Sequence, residues 1–139
     1  MNTTLRSILA IIAGIVIGGI VNMGIITISG SIIPPPEGAD LSTAEGIKAA
    51  ADLLEAKHYI MPFLAHAIGT LVGALITAKI VTKSKFAYAM FIGVFFLLGG
   101  ISAAFMIPAP TWFIILDLAA AYIPMAWLGY KLVEKNNRF

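Results

Sequence analysis

Hydrophobic positions along this chain fall into four long blocks, separated by short polar interruptions. The blocks run over about residues 5–29, 60–82, 86–107 and 111–132. Each matches the roughly 20 apolar residues that an α-helix needs to cross a bilayer. The pattern predicts an all-α integral membrane protein, an antiparallel four-transmembrane-helix bundle in a single domain. Spans two and three are joined only by Thr82-Lys83-Ser84-Lys85, and spans three and four by Pro108-Ala109-Pro110, so both pairs are expected to be antiparallel neighbours. The first block is far longer than the roughly 7–15 apolar residues of a secretory signal, and it reads as a retained span.

The one long interruption, residues 30–59, begins with Gly30 and Pro34-Pro35-Pro36, which are expected to end the first helix. After it, Ser42 and Glu45 form a Ser-x-x-Glu capping box. Ile47, Ala50, Ala51, Leu54 and His58 then recur on one helical face, with Glu45, Lys48, Asp52 and Glu55 on the other. This predicts a short amphipathic helix over about residues 42–57 in the first outer loop, with His58 a surface residue closing it.

Composition agrees with the pattern. The chain has 139 residues, of which 60% are hydrophobic and only 12% charged, and four spans leave no room for a large soluble domain. It has no cysteine, which excludes disulfides, thiolate metal sites and thiol nucleophiles. With two histidines and no phosphate-binding loop, no metal or cofactor is expected, and no nucleic-acid partner. Arg6, Lys79, Lys83, Lys85, Lys131, Lys135 and Arg138 share the side of both termini, whereas the long loop carries five acids against Lys48 and Lys57. Both termini are therefore expected to be cytoplasmic. Trp112 and Tyr59 would mark the outer interface, and Phe86, Tyr88, Trp127 and Tyr130 the inner one.

Polar residues inside the spans are the candidates for function. At about 1.5 Å of rise per residue, Asn22, His66, Ser102 and Asp117 fall roughly 8–15 Å from the outer helix ends, one from each span, and could form a polar pocket. Asp117 is the most informative, because a carboxylate in hydrocarbon must be protonated, paired or wetted. His66 is the intramembrane candidate for its partner. Pro124 should kink the fourth span and free the Ala120 carbonyl. Gly14 and Gly18 in span one, and Gly69 and Gly73 in span two, recur every four residues and shave a face small enough for close helix packing. The plainer alternative is that Asn22 and Ser102 only bridge helices.

Pro34-Pro35-Pro36-Glu37-Gly38-Ala39-Asp40, the stretch from Ala65 to Ala74, Leu97-Leu98-Gly99-Gly100 and Pro108-Ala109-Pro110-Thr111-Trp112-Phe113 together resemble an uncharacterised family of small four-span bacterial inner-membrane proteins. The resemblance covers nearly the whole chain. It implies a multi-pass protein of the bacterial inner membrane and assigns no role to His66 or Asp117.

Three functions are compatible with these features. One is a non-enzymatic protein that binds a small molecule, lipid or proton in an outward-facing polar pocket. A second is a structural or accessory subunit whose partners, besides the lipid bilayer, are a second copy or another membrane protein. The third is an intramembrane hydrolase using Ser102, His66 and Asp117, although no nucleophile-elbow sequence surrounds Ser102.

Overall fold

The computed structural model describes residues 1–137, and among them every regular element is a helix. Arg138, counted above with the basic residues, lies outside the described residues. Four runs are long and apolar enough to cross a bilayer: Thr3–Ile32, Ala56–Ile80, Lys85–Met106 and Thr111–Asn136.

Helix α1 spans Thr3–Ile32 and starts at Asn2, whose side chain accepts the Thr4 N–H at 2.9 Å. It runs past Gly30, where the sequence suggested an end. Glycine inside a helix costs only about 1 kcal/mol, whereas the residue before a proline is pushed out of helical geometry. Accordingly Ile33, next to Pro34, is extended.

The loop helix is shorter than expected and begins later. Helix α2 covers Ala44–Ala49, and separate 3₁₀ turns follow at Ala51–Leu53 and Ala56–Tyr59. Thr43 is its cap, accepting the Gly46 N–H at 3.0 Å. Ser42 instead gives its N–H and hydroxyl to the Asp40 carboxylate, which holds that carboxyl below its ordinary range. A helix this short has few internal bonds of its own, so the segment breaks to follow the surface beneath it. Its amphipathic sense survives: Ile47 and Leu54 turn inward while Glu45, Lys48, Asp52 and Glu55 stay toward the outside.

Helix α3 (Ile60–Ile80) packs against α1, against α4 (Lys85–Met106), and against α5 (Thr111–Ala120) and α6 (Ile123–Asn136), the two halves of the fourth run. Rising numbers on α1 meet falling numbers on α3. The Arg6 guanidinium donates to the Ile80 carbonyl, Thr77 Oγ1 donates to the Ala10 carbonyl at 3.1 Å, and Gly14 and Gly18 lie against Gly73 and Gly69. A Cβ on Gly14 would stand 2.7 Å from the Gly73 carbonyl oxygen, and one on Gly18 at 2.7 Å from that of Gly69. The four-residue ladders of the two helices therefore close on each other, as small-residue faces do. Ile92 of α4 is fully buried among Ala74, Ala78, Ala89, Ala126 and Val133. Other large apolar side chains of α1, including Leu9, Ile12, Val16, Ile20 and Met23, point outward.

Two glycines in one helix test the seam. Gly14→Ala should destabilise the fold by about 1–3 kcal/mol because its methyl group has no room. Gly19→Ala meets nothing within 4 Å and should be neutral or slightly stabilising. Unfolding of the two variants side by side in detergent checks the contrast.

Candidate functional site

The site forms where α5 approaches α3 near the long loop. His66 lies in the second turn of α3 and Asp117 in the last part of α5. Nδ1 of His66 is 2.8 Å from Oδ1 of Asp117, so the pair expected from residue types is made. Asp117 is only 4% exposed, and its second oxygen accepts the Tyr122 hydroxyl at 3.1 Å. With Asp117 ionised, both of its oxygens accept and the shared proton lies on Nδ1 of His66. The Tyr122 ring also stacks against the imidazole, with centroids 5.8 Å apart and planes 25° from parallel.

Tyr122 is the site residue that sequence reasoning missed, and the reason is geometric. In a continuous helix the fifth residue after Asp117 points about 140° away from it, beyond reach. The fourth run is not continuous. Helix α5 stops at Ala120, Tyr122 has φ −114° and ψ −75°, and α6 restarts with Pro124 in its first turn. Proline has no N–H for the Ala120 carbonyl, so the kink anticipated at Pro124 becomes a break. The break swings the Tyr122 side chain back onto Asp117. Gly100 of α4 completes the seat, since a Cβ there would run into the phenol. The only sequence signal for this arrangement was a mid-span tyrosine two residues before a proline.

His66 and Asp117 form the deep end of a cavity of about 430 Å³ beneath the long loop. Its walls are apolar, with Ile26 and Ile33 from α1 and its end, Ala103, Ala104 and Ile107 from α4 and its end, and Phe113 and Ile114 from α5. Ile47 and Leu54 form part of the roof. Ser42, Thr43 and His58 add polar groups on the loop side, and no lysine or arginine lines it among the described residues. His58, partly exposed, also lines the cavity, its Nδ1 accepting the Glu55 N–H at 2.8 Å. At the mouth, Tyr59 contacts Phe113 and Trp112 with ring centroids 4.9 Å and 5.8 Å apart.

The other two polar candidates do not join the pair. Ser102 is exposed, its hydroxyl donating to the Leu98 carbonyl at 3.0 Å within its own helix. The cavity-facing stripe of α4 and its end is Gly100, Ala103, Ala104 and Ile107, and helical spacing puts residue 102 outside it. Ser102 is therefore removed from the pocket and from any triad. Asn22 lies in the α1–α3 seam against Gly69, one turn along from His66, and does not line the cavity. Its Oδ1, like the Thr70 hydroxyl, is buried with no partner among the described residues. No three His, Cys, Asp or Glu side chains gather to hold a metal among the described residues.

Comparison of the chain with family models, with curated proteins and with solved structures finds no match.

The pair predicts a thermodynamic coupling. His66→Ala should cost more in the native background than in Asp117→Asn, with a coupling of about 1–3 kcal/mol, because only the native aspartate is left as a buried charge. A double-mutant cycle of unfolding free energies in bilayer discs measures it.

Proposed function

We propose that this chain is a multi-pass membrane protein that binds a small amphipathic molecule, with the apolar body in the cavity and the polar group at His66. One observation carries this reading: an apolar cavity whose deep end presents a single histidine, held by a buried aspartate and tyrosine. Small-molecule sites combine mostly apolar walls with a few convergent polar groups in just this proportion, in volumes of about 300–1,000 Å³. The reading includes an antiparallel arrangement of four spans, supported by the opposed numbering along the α1–α3 seam. It also includes cytoplasmic termini, supported by the basic ends of the helices opposite the acidic loop. The aromatic groups fit the same orientation, with Tyr59, Trp112 and Phe113 together at the loop end and Phe86 on Tyr130 at the other. Residence in a bacterial inner membrane, among small four-span proteins of that kind, completes the proposal.

A structural or accessory subunit has less support. The glycine ladders that suggested a docking face are already occupied, Gly14 and Gly18 against Gly73 and Gly69 of the same chain. The hydrolase reading loses its nucleophile with Ser102.

A photoactivatable long-chain alcohol, applied to the protein in phosphatidylcholine discs, should label residues around Ala104, Ile107 and Phe113 saturably. Ala104 carries the control: Ala104→Trp should fill the cavity and reduce that labelling at least tenfold. Labelling that is non-saturable and equal in both proteins would show only contact with lipid-exposed surface and would overturn the binding reading.

A further inference from the structure

On the reading that the cavity binds an amphipathic molecule, the charges at its deep end narrow the ligand class. Both oxygens of Asp117 are engaged, one by His66 and the other by Tyr122. The Asp117 side chain is only 6% exposed, so a ligand meets the imidazole first. His66 keeps 26% of its side chain exposed, lines the cavity, and has Nε2 without a partner among the described residues. With the proton on Nδ1, Nε2 is a lone pair that accepts a hydrogen bond.

Behind that lone pair stands a negative charge that nothing around the cavity cancels while His66 is neutral. Tyr122 is a neutral donor, and no lysine or arginine among the described residues lines the cavity. An unbalanced charge in apolar surroundings is strongly disfavoured, so the ionised site calls for a cation at Nε2. That cation is either a proton or a ligand. A hydroxyl headgroup would leave the carboxylate unbalanced, and an anionic headgroup would add a second negative charge.

The approach to the cavity carries the same sign. The loop over it has five acids, Glu37, Asp40, Glu45, Asp52 and Glu55, against Lys48 and Lys57. Such a field concentrates cations at the mouth.

We propose that the cavity takes a lipophilic ammonium ion, whose N–H donates to Nε2 of His66 and whose charge is balanced by Asp117 across the imidazole. Ligand and proton then compete for one lone pair. The titratable groups facing His66 are Asp117 from α5 and Tyr122 from the break, with His58 and Tyr59 of the loop sharing the cavity. From α1 and α4 the cavity receives residues such as Ile26, Ser29, Gly100 and Ala104, none of which titrates. His58 has its Nδ1 occupied by the Glu55 N–H. Acidification therefore sets the proton against the ammonium ion at the Nε2 lone pair of His66.

Displacement of the photoactivatable alcohol from the full chain in phosphatidylcholine discs tests the proposal, with decylamine, 1-decanol and decanoate as matched competitors. At pH 8 decylamine should displace the label at least tenfold more strongly than either of the others. Its advantage should shrink as pH falls towards 5, while displacement by decanol stays level. Asp117→Asn should abolish the amine's advantage and spare decanol. Should that variant fail to fold, the pH dependence of the native protein decides. Equal displacement by amine and alcohol, a preference for decanoate, or an amine advantage unchanged at pH 5 would each overturn the ammonium assignment while leaving the cavity reading intact. Absence of any saturable labelling sensitive to Ala104→Trp would overturn both.

Discussion

A carboxylate placed in an apolar helix has to be met by donors, and most of the loop-end architecture follows from meeting Asp117. The first donor lies on α3, so α5 must run beside α3 at the depth of His66. The second donor, Tyr122, lies on the wrong face for a continuous helix, so the fourth run must break before Pro124. The displaced phenol then needs space, which α4 supplies by having no side chain at Gly100. Four elements are tied to one charge. A polar network of this kind in low dielectric favours a unique arrangement when every member is satisfied and is costly when one is removed.

Along the rest of α3, absence of bulk governs the packing. Helix α3 can touch all of the other long helices because its faces toward them are built from Ala65, Gly69, Gly73, Ala74, Thr77 and Ala78, all buried. With backbones this close, dispersion and short carbonyl contacts take the place of a large hydrophobic core. Larger side chains of α1 and α4 are left facing outward, which suits a surrounding of lipid tails in the proposed membrane setting.

Much of this was legible in the residue pattern and some was not, for identifiable reasons. Block length located the four runs, and ladder spacing located the Gly14, Gly18, Gly69 and Gly73 contacts, because both depend on local helical repeat alone. The His66–Asp117 pair was legible because burial of a carboxylate leaves few choices of partner. Ser102 was misplaced because depth was considered without angular position: the right height on α4 was the wrong side of it. Tyr122 was invisible because its direction depends on a break whose angle no residue pattern specifies. The loop helix failed at its cap, where Asp40 competed for Ser42 and left Thr43 to start the helix.

The break between α5 and α6 also divides the fourth run into two arms of unequal hold. Helix α6 is packed closely along α3 and α4, whereas α5 touches its neighbours sparingly. Its firm attachments are the Asp117 network and the ring cluster of Phe113 and Trp112 with Tyr59. The free energy of local opening rises with the packing and hydrogen bonding that a segment must give up, so α5 is the less firmly held of the two arms. The wall of the cavity and the latch that holds that wall in place are thus one short helix.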